Sequence, residues 1–435
     1  MIATTLFWLC LLMGAAISVA ASMAMLSFVL SAQYSSMPLI RALGEIGWST
    51  SNDSIIMAVP LYILMGEILM RAGIAERMYE AMRQWMSWLP GGLMNANIGF
   101  CAVFSASSGS AVATAATIGT VAIPEIKRHG YNERLFLGTL AAGGTLDILI
   151  PPSINLIVYG ALTDTSIPQL YLAGFLPGFI CALLMIVTVI AACLWRPEWG
   201  GRRSPTDWPT RLRSLLDLIP PLLIFLVVIG SIYAGLATAT EAAALGLVFS
   251  CVLAAARRQL TIGVIKLAME SCMKITGMTM AILVAANFLL FVMAMIGLNQ
   301  QLTAGITTLG LGPYQTLTIV IIVLVLLGTF METLPMMIAT VPIIAPVMFA
   351  FGFDPVWFGI LIILLMQTGM ISPPVGVTLF VVQSIRRSGS VNDVFIGSLP
   401  FMLTLAVMIG LLVAFPSIAL IVPEMLGNYK PAVLR

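Results

Sequence analysis

Two proline pairs carry the first chemical signal. They read Ile150-Pro151-Pro152-Ser153-Ile154-Asn155 and Ser372-Pro373-Pro374-Val375-Gly376, each within a long apolar run. Proline removes a backbone donor and frees the carbonyl one turn earlier. In an apolar medium such irregular backbone persists only where it is buried in protein or lines a polar cavity. Freed carbonyls and Ser/Thr hydroxyls are hard oxygen ligands, suited to a small cation such as Na⁺. Half-helix N-termini at the same breaks offer N–H donors and positive dipole ends to an anion. A lone proline would be read as a kink between packed helices. Here each pair follows a segment interrupted by small or polar residues: Ser105-Ala106-Ser107-Ser108-Gly109-Ser110 in one case, Gly328-Thr329-Phe330-Met331-Glu332-Thr333-Leu334-Pro335 in the other.

Four acids lie in or beside apolar runs: Glu67, Asp147, Glu241 and Glu332. An ionisable residue within a membrane is costly and defaults to a functional reading. That reading suits Glu332, at an interrupted turn, and Asp147, four residues before a proline pair. Glu67 stands four residues before Arg71, so a local ion pair is the simpler account. Glu241 follows a short turn, where stabilising a helix N-terminus is at least as good an explanation.

The elements that must hold these residues are apolar spans. Of 435 residues, 9% are charged and 60% are hydrophobic; a soluble domain carries roughly 25% charge. So few charges cannot cover a water-exposed surface. Net charge +2 with one histidine leaves no basic field for nucleic acid. The six cysteines sit in apolar runs without metal-type spacing and read as small buried hydrophobes. With His129 alone, metal-ligand and Ser/His/Asp chemistry have no constellation, and no Walker A motif occurs. What remains is an all-α polytopic membrane protein that is not an enzyme.

Spans are expected at about 6–30, 54–70, 133–163, 167–195, 214–236, 239–256, 277–297, 356–385 and 395–422. The first has no basic residue before it, so it reads as a retained span or two short ones rather than a signal peptide. The stretches 71–92, 127–134, 196–213, 257–276 and 386–393 hold every Lys and Arg except Arg41, Lys430 and Arg435. The positive-inside rule places these stretches in the cytoplasm. Residues 71–92 and about 257–275 are too charged to span and read as amphipathic interfacial helices.

The chain repeats itself. At an offset of 222, Pro124 meets Pro346, Gly130 meets Gly352, Asn132 meets Asp354, Phe136 meets Phe358, and the proline pairs coincide. Residues 1–195 form one repeat and 214–435 the other, joined by a cytoplasmic linker at 196–213. The stretch 95–126 starts and ends beside cytoplasmic basic loops, whereas 317–350 is flanked by uncharged or acidic segments on the outer side. Equivalent elements point in opposite directions. This is an inverted-topology repeat with two re-entrant hairpins, about 95–126 and 317–350, and two broken helices, 133–163 and 356–385.

At these residues the sequence resembles the DctM-type large membrane subunit of TRAP (tripartite ATP-independent periplasmic) transporters. The matching motifs run through most of the chain: Pro60-Leu61-Tyr62-Ile63-Leu64-Met65-Gly66-Glu67, Gly109-Ser110-Ala111-Val112-Ala113-Thr114-Ala115-Ala116, the first proline pair, Ala237-Thr238-Ala239-Thr240-Glu241-Ala242, Met331-Glu332-Thr333-Leu334-Pro335, Phe353-Asp354-Pro355-Val356-Trp357-Phe358-Gly359 and the second pair. The resemblance implies an elevator-type, Na⁺-coupled importer of the bacterial inner membrane. Its implied partners are a small four-helix membrane subunit, as a separate chain, and a periplasmic substrate-binding protein. The sequence departs from the family at Asp147, where Gly is common, and at Asn155, where Pro is common.

By position, Ser108, Gly109, Ser110, Pro151, Pro152, Ser153, Gly328, Thr333, Ser372, Pro373, Pro374 and Gly376 are the sodium-binding candidates. The serines and Thr333 would act through hydroxyls, the glycines and prolines through backbone. Asp147, Asn155, Glu332 and Thr378 are the substrate-binding candidates. Na⁺ is the coupling ion, with no cofactor and no other metal. The expected substrate is a small organic acid or related anion or zwitterion. A stand-alone Na⁺/carboxylate symporter with the same fold is the alternative.

Overall fold

The computed structural model describes residues 4–5, 7–8, 11–12, 17–108, 111–202, 207–298, 300–301, 312–427 and 429–431, with the side chains of 106–108 left aside. Among the described residues there are 19 α-helices and no named strand. The first half of the chain holds α1 (Val19–Tyr34), α2 (Leu43–Ser51), α3 (Ala58–Arg71), α4 (Ile74–Met86), α5 (Gly92–Ser108), α6 (Ala111–His129), α7 (Glu133–Gly144), α8 (Ile154–Thr163) and α9 (Ile167–Trp195). After α10 (Trp208–Ser214), the second half holds α11 (Ile219–Tyr233), α12 (Ala239–Ala256), α13 (Ile262–Met295), α14 (Pro313–Gly328), α15 (Thr333–Ala350), α16 (Pro355–Met370), α17 (Val377–Arg386), α18 (Val391–Ala414) and α19 (Ser417–Gly427).

Five helices are long and apolar enough to cross a membrane, or up to seven if each bent pair counts as one span. Most of the remainder are half-length apolar helices, as interrupted segments require. The stretch 95–126 is α5 and α6; 317–350 is α14 and α15. Both expected broken helices are broken: α7 passes through a 3₁₀ turn at Thr145–Ile148 before α8, and α16 stops before Ser372 and resumes as α17. Pro151-Pro152 and Pro373-Pro374 are both cis.

The repeat is visible in local chemistry. Gly130 and Gly352 both adopt positive φ (70° and 87°), ending α6 and α15 with the left-handed residue that suits glycine. Two residues on, Asn132 accepts from the Leu135 amide, and Asp354 accepts from the amides of Val356 and Trp357. Equivalent side chains thus cap α7 and α16.

Two elements differ from expectation. Residues 257–275 form no separate interfacial helix. From Ile262 they continue without interruption into the apolar segment, giving one 34-residue helix, α13. Lys266, Glu270 and Lys274 occupy its first turns, and nothing between Thr276 and Met278 breaks the hydrogen-bond ladder. The segment 395–422 is likewise two helices, because Pro416 disfavours helical backbone at Phe415 and separates α18 from α19. Residues 74–86, by contrast, form a distinct helix, bent 70° from α3 at Gly73 (φ 66°).

The helices pack as two groups. In one, α13 lies against α1, α2 and α3, and α12 lies against α3 and α11. In the other, α5–α9 pack with α14–α19. Within the second group the repeats cross over: α6 packs on α17, and α15 packs on α8. Each hairpin's second arm therefore rests on the other repeat's broken helix. The tightest crossing joins α7 to α18. A Cβ on Gly138 would overlap the Gly397 carbonyl, and one on Gly397 would overlap the Arg134 carbonyl. Bare backbone contact of this kind is how helices approach closely without a water-driven collapse. At one end of that crossing Arg386, 5% exposed by side chain, binds Glu133 (2.9 Å) and Asp393 (3.1 Å), while Arg134 binds Asp393 (2.9 Å).

The linker is anchored at its start. Asn132 and Arg202 amides donate to Trp199 and His129 carbonyls, and the Arg196 guanidinium sits over Trp199, 5.0 Å from the ring centre.

Candidate transport site

A cavity of about 230 Å³ lies where the two groups meet. From the first group, α3 contributes Ile63, Gly66, Glu67 and Met70, and α13 contributes Ile275 and Met278. From the second come Ala111, Val112 and Ala113 at the start of α6, Ile154 and Asn155 at the start of α8, and Thr333 and Leu334 at the start of α15. The starts of three helices therefore converge on one small space, and helix N-termini attract acid groups. Glu332, Ile148 and Met370 complete the wall.

Among the sequence candidates, Asn155, Glu332 and Thr333 line this cavity. Asn155 is 4% exposed and its Oδ1 has no hydrogen-bond partner among the described residues. Glu332 is exposed, forms no ion pair among the described residues, and as N-cap of α15 makes no side-chain capping bond.

None of the proline-break candidates for sodium is in this cavity's wall; Ser372 lines a separate one, with Thr368 and residues of α14 and α18. Ser153, 1% exposed, donates to the Ile148 carbonyl at 2.7 Å. Ser372 donates to the Thr368 carbonyl at 2.7 Å, and Thr378 donates to the Met370 carbonyl at 2.8 Å across the second break. A hydroxyl that donates to a carbonyl keeps its lone pairs for a further donor or a cation. Gly376 has φ 51°, and its amide donates to the Thr329 carbonyl at 3.0 Å, joining the second hairpin to the second break. A Cβ there would lie 2.9 Å from the Ser372 carbonyl oxygen and 3.0 Å from that of Met370. Gly328 and Gly369 meet backbone to backbone just above.

Asp147 is elsewhere. It is 1% exposed in the 3₁₀ turn and is not part of the cavity wall, although Ile148 is. Thr378 is fully buried and braces the break without lining the cavity. Gly109 and Ser110, and the Ser108 side chain, lie outside the described residues.

Glu67 holds a surprise in its location. The pair with Arg71 is present at 2.9 Å, and Arg71 also donates to Ser271 on α13 at 2.9 Å. Yet Glu67 faces the cavity too. The i,i+4 spacing shows the pair but not what the pair borders. Glu241, by contrast, forms a capping box with Thr238 at the start of α12.

The family profile described as "Tripartite ATP-independent periplasmic transporter, DctM component" matches residues 5–418. The chain belongs to the DctM family. It is therefore a TRAP transporter large permease, and its relatives are multi-pass membrane permeases rather than enzymes. It is 33% identical over 390 residues to the C4-dicarboxylate TRAP transporter large permease DctM of Pseudomonas aeruginosa, covering 89% of this chain and 90% of that one. It is 30% identical over 394 residues to the isethionate TRAP transporter permease DctMQ of Oleidesulfovibrio alaskensis, covering 88% of this chain but 60% of that one. The sialic acid large permease SiaM of Vibrio cholerae is 30% identical over 379 residues, covering 86% and 87%. In fold, the DctM-family chain matches the Alcanivorax borkumensis YdaH transporter, whose crystal structure was described as showing an unusual topology. The TM-score is 0.65 at 13% identity, covering 96% of this chain and 99% of that one.

Proposed function

We propose that this large permease imports a small organic acid, or a related anion or zwitterion, coupled to Na⁺ and dependent on a periplasmic binding protein. The observation that carries this reading is the convergence of the α6, α8 and α15 N-termini on one cavity between two helix groups. N-termini favour an acid group. Hydroxyls and carbonyls at the two proline breaks supply oxygen ligands for Na⁺, one site per hairpin–break pair. Ordering of the hairpin tips by Na⁺ would complete the acid site and so couple the two. The family supports a small membrane subunit and a bacterial inner-membrane location, and the clustering of Lys and Arg supports cytoplasmic basic loops. The first helix group would stay as scaffold while the second, carrying both hairpins, moves as an elevator. The Na⁺ gradient and membrane potential, rather than ATP, would drive uptake.

The test is uptake in proteoliposomes containing this chain, its small subunit and the cognate binding protein under an inward Na⁺ gradient. Uptake requiring both Na⁺ and the binding protein is the expected result. Uptake without the binding protein would favour a stand-alone symporter, and uptake indifferent to Na⁺ would remove the cation sites.

A further inference from the structure

The charges around the cavity do not suit a dicarboxylate. Its wall carries two carboxylates, Glu67 and Glu332, and among the described residues no Lys or Arg. The segment 106–110, Ala-Ser-Ser-Gly-Ser, contains no charged residue either. Glu67 is neutralised by Arg71. Glu332 has no ion pair among the described residues and does not cap its own helix. On the same wall, Asn155 Oδ1 is buried with no donor among the described residues, an unfavourable state unless something supplies one. The three N-termini satisfy one acid group. A second carboxylate would face Glu332 and an amide oxygen with no Lys or Arg in the described wall beyond the Arg71 already paired to Glu67, and like charges disfavour that arrangement. An ammonium or amidinium group would instead give Asn155 Oδ1 a donor and Glu332 a counter-charge inside the cavity. The volume, about 230 Å³, suits a compact solute rather than one of drug size.

Resting on the transport reading above, we propose that the carried solute is a small zwitterion, an amino acid or aminosulfonate bearing N–H donors. Its acid end sits at the helix N-termini, and its cationic end is received by Asn155 Oδ1 and Glu332. This makes both residues specificity determinants of the permease itself, separate from the binding protein's choice.

The test uses the purified chain with its small subunit in lipid nanodiscs, without the binding protein. Thermal midpoints are measured in NaCl and in KCl, with taurine, β-alanine and succinate as probes. Stabilisation by NaCl alone reports the sodium sites, so its absence counts against the coupled-transport reading independently of the probes. Taurine or β-alanine is expected to raise the midpoint at concentrations where succinate does not. E332Q and N155A should each weaken that apparent affinity at least tenfold. N155D, which keeps an acceptor, should stay within about threefold of the parent, and it stands in if N155A does not fold. Equal or stronger binding of succinate would overturn the proposal. So would zwitterion binding unchanged in E332Q and N155A, or no binding of either zwitterion by a protein that NaCl still stabilises. If both substitutions shift only the NaCl dependence and leave probe selectivity intact, the two residues serve the cation and the proposal also fails.

Discussion

Ser153 and Ser372 illustrate how little a residue type decides alone. They lie on opposite sides of their proline pairs, one after and one before, yet each hydroxyl donates to a carbonyl of the preceding turn at 2.7 Å. Each therefore keeps lone pairs beside a freed backbone, which is what a Na⁺ ligand requires. Removing one such oxygen is expected to cost about 1–1.5 kcal/mol of ion binding, or roughly a tenfold rise in the Na⁺ concentration for half-maximal uptake. Ser153→Ala and Ser372→Ala test this in the reconstituted system, with exposed Thr120→Ala as a control that should leave the Na⁺ curve unchanged. At Gly376 the backbone is the working part. Its φ of 51° and the two carbonyls facing its Cα leave no room for a branched side chain. Gly376→Val should abolish Na⁺-stimulated uptake while the protein still reaches the membrane, and normal uptake in that variant would show that the second break is not a site.

At the scale of elements, the proline pairs and the interrupted turns were legible because both are local. The paired prolines interrupt their helices, whereas single prolines such as Pro124, Pro177 and Pro400 are carried inside α6, α9 and α18; Gly130 and Gly352 mark the same chain reversal twice. Helix continuity was less legible. The charges at 257–274 look interfacial, but charge density along a segment does not break hydrogen bonds, so α13 runs through. Contacts between elements were not legible at all. The α7–α18 crossing depends on Gly138 and Gly397 meeting 259 residues apart, and nothing in either segment announces its partner. A side chain there must push the helices apart, and overpacking of that sort costs about 1–3 kcal/mol. Gly138→Val should accordingly lower the thermal midpoint in detergent, whereas Gly230→Ala, with open space around it, should not. Arg386→Ala at the end of the same crossing should also destabilise, since Glu133 and Asp393 would face each other without their shared cation.

For the whole molecule, the consequential feature is that one wall of the cavity belongs to α3 and α13 and the rest to the hairpin-bearing group. If the two groups move relative to each other during transport, tying them across the cavity must stop it. The variant G66C/L334C, bridged by a thiol cross-linker, should lose uptake and regain it on cleavage of the bridge. Cys101, Cys181, Cys193 and Cys272 are buried and should not compete, while half-buried Cys251, and Cys10, are replaced by alanine in the parent used. Full uptake in the bridged protein would rule out that relative motion. The sequence by itself determined the membrane setting, the duplication, the two hairpins and the two breaks, because each rests on composition or on the local chemistry of proline, glycine and charge. Only the tertiary structure decided that each hairpin arm rests on the other repeat's broken helix. It also decided that Glu67 borders the cavity, that Asp147 does not, and that Asn155 and Glu332 do. Those facts depend on which segments pack together, and in a uniformly apolar chain the hydrophobic pattern that would name the partners is nearly flat.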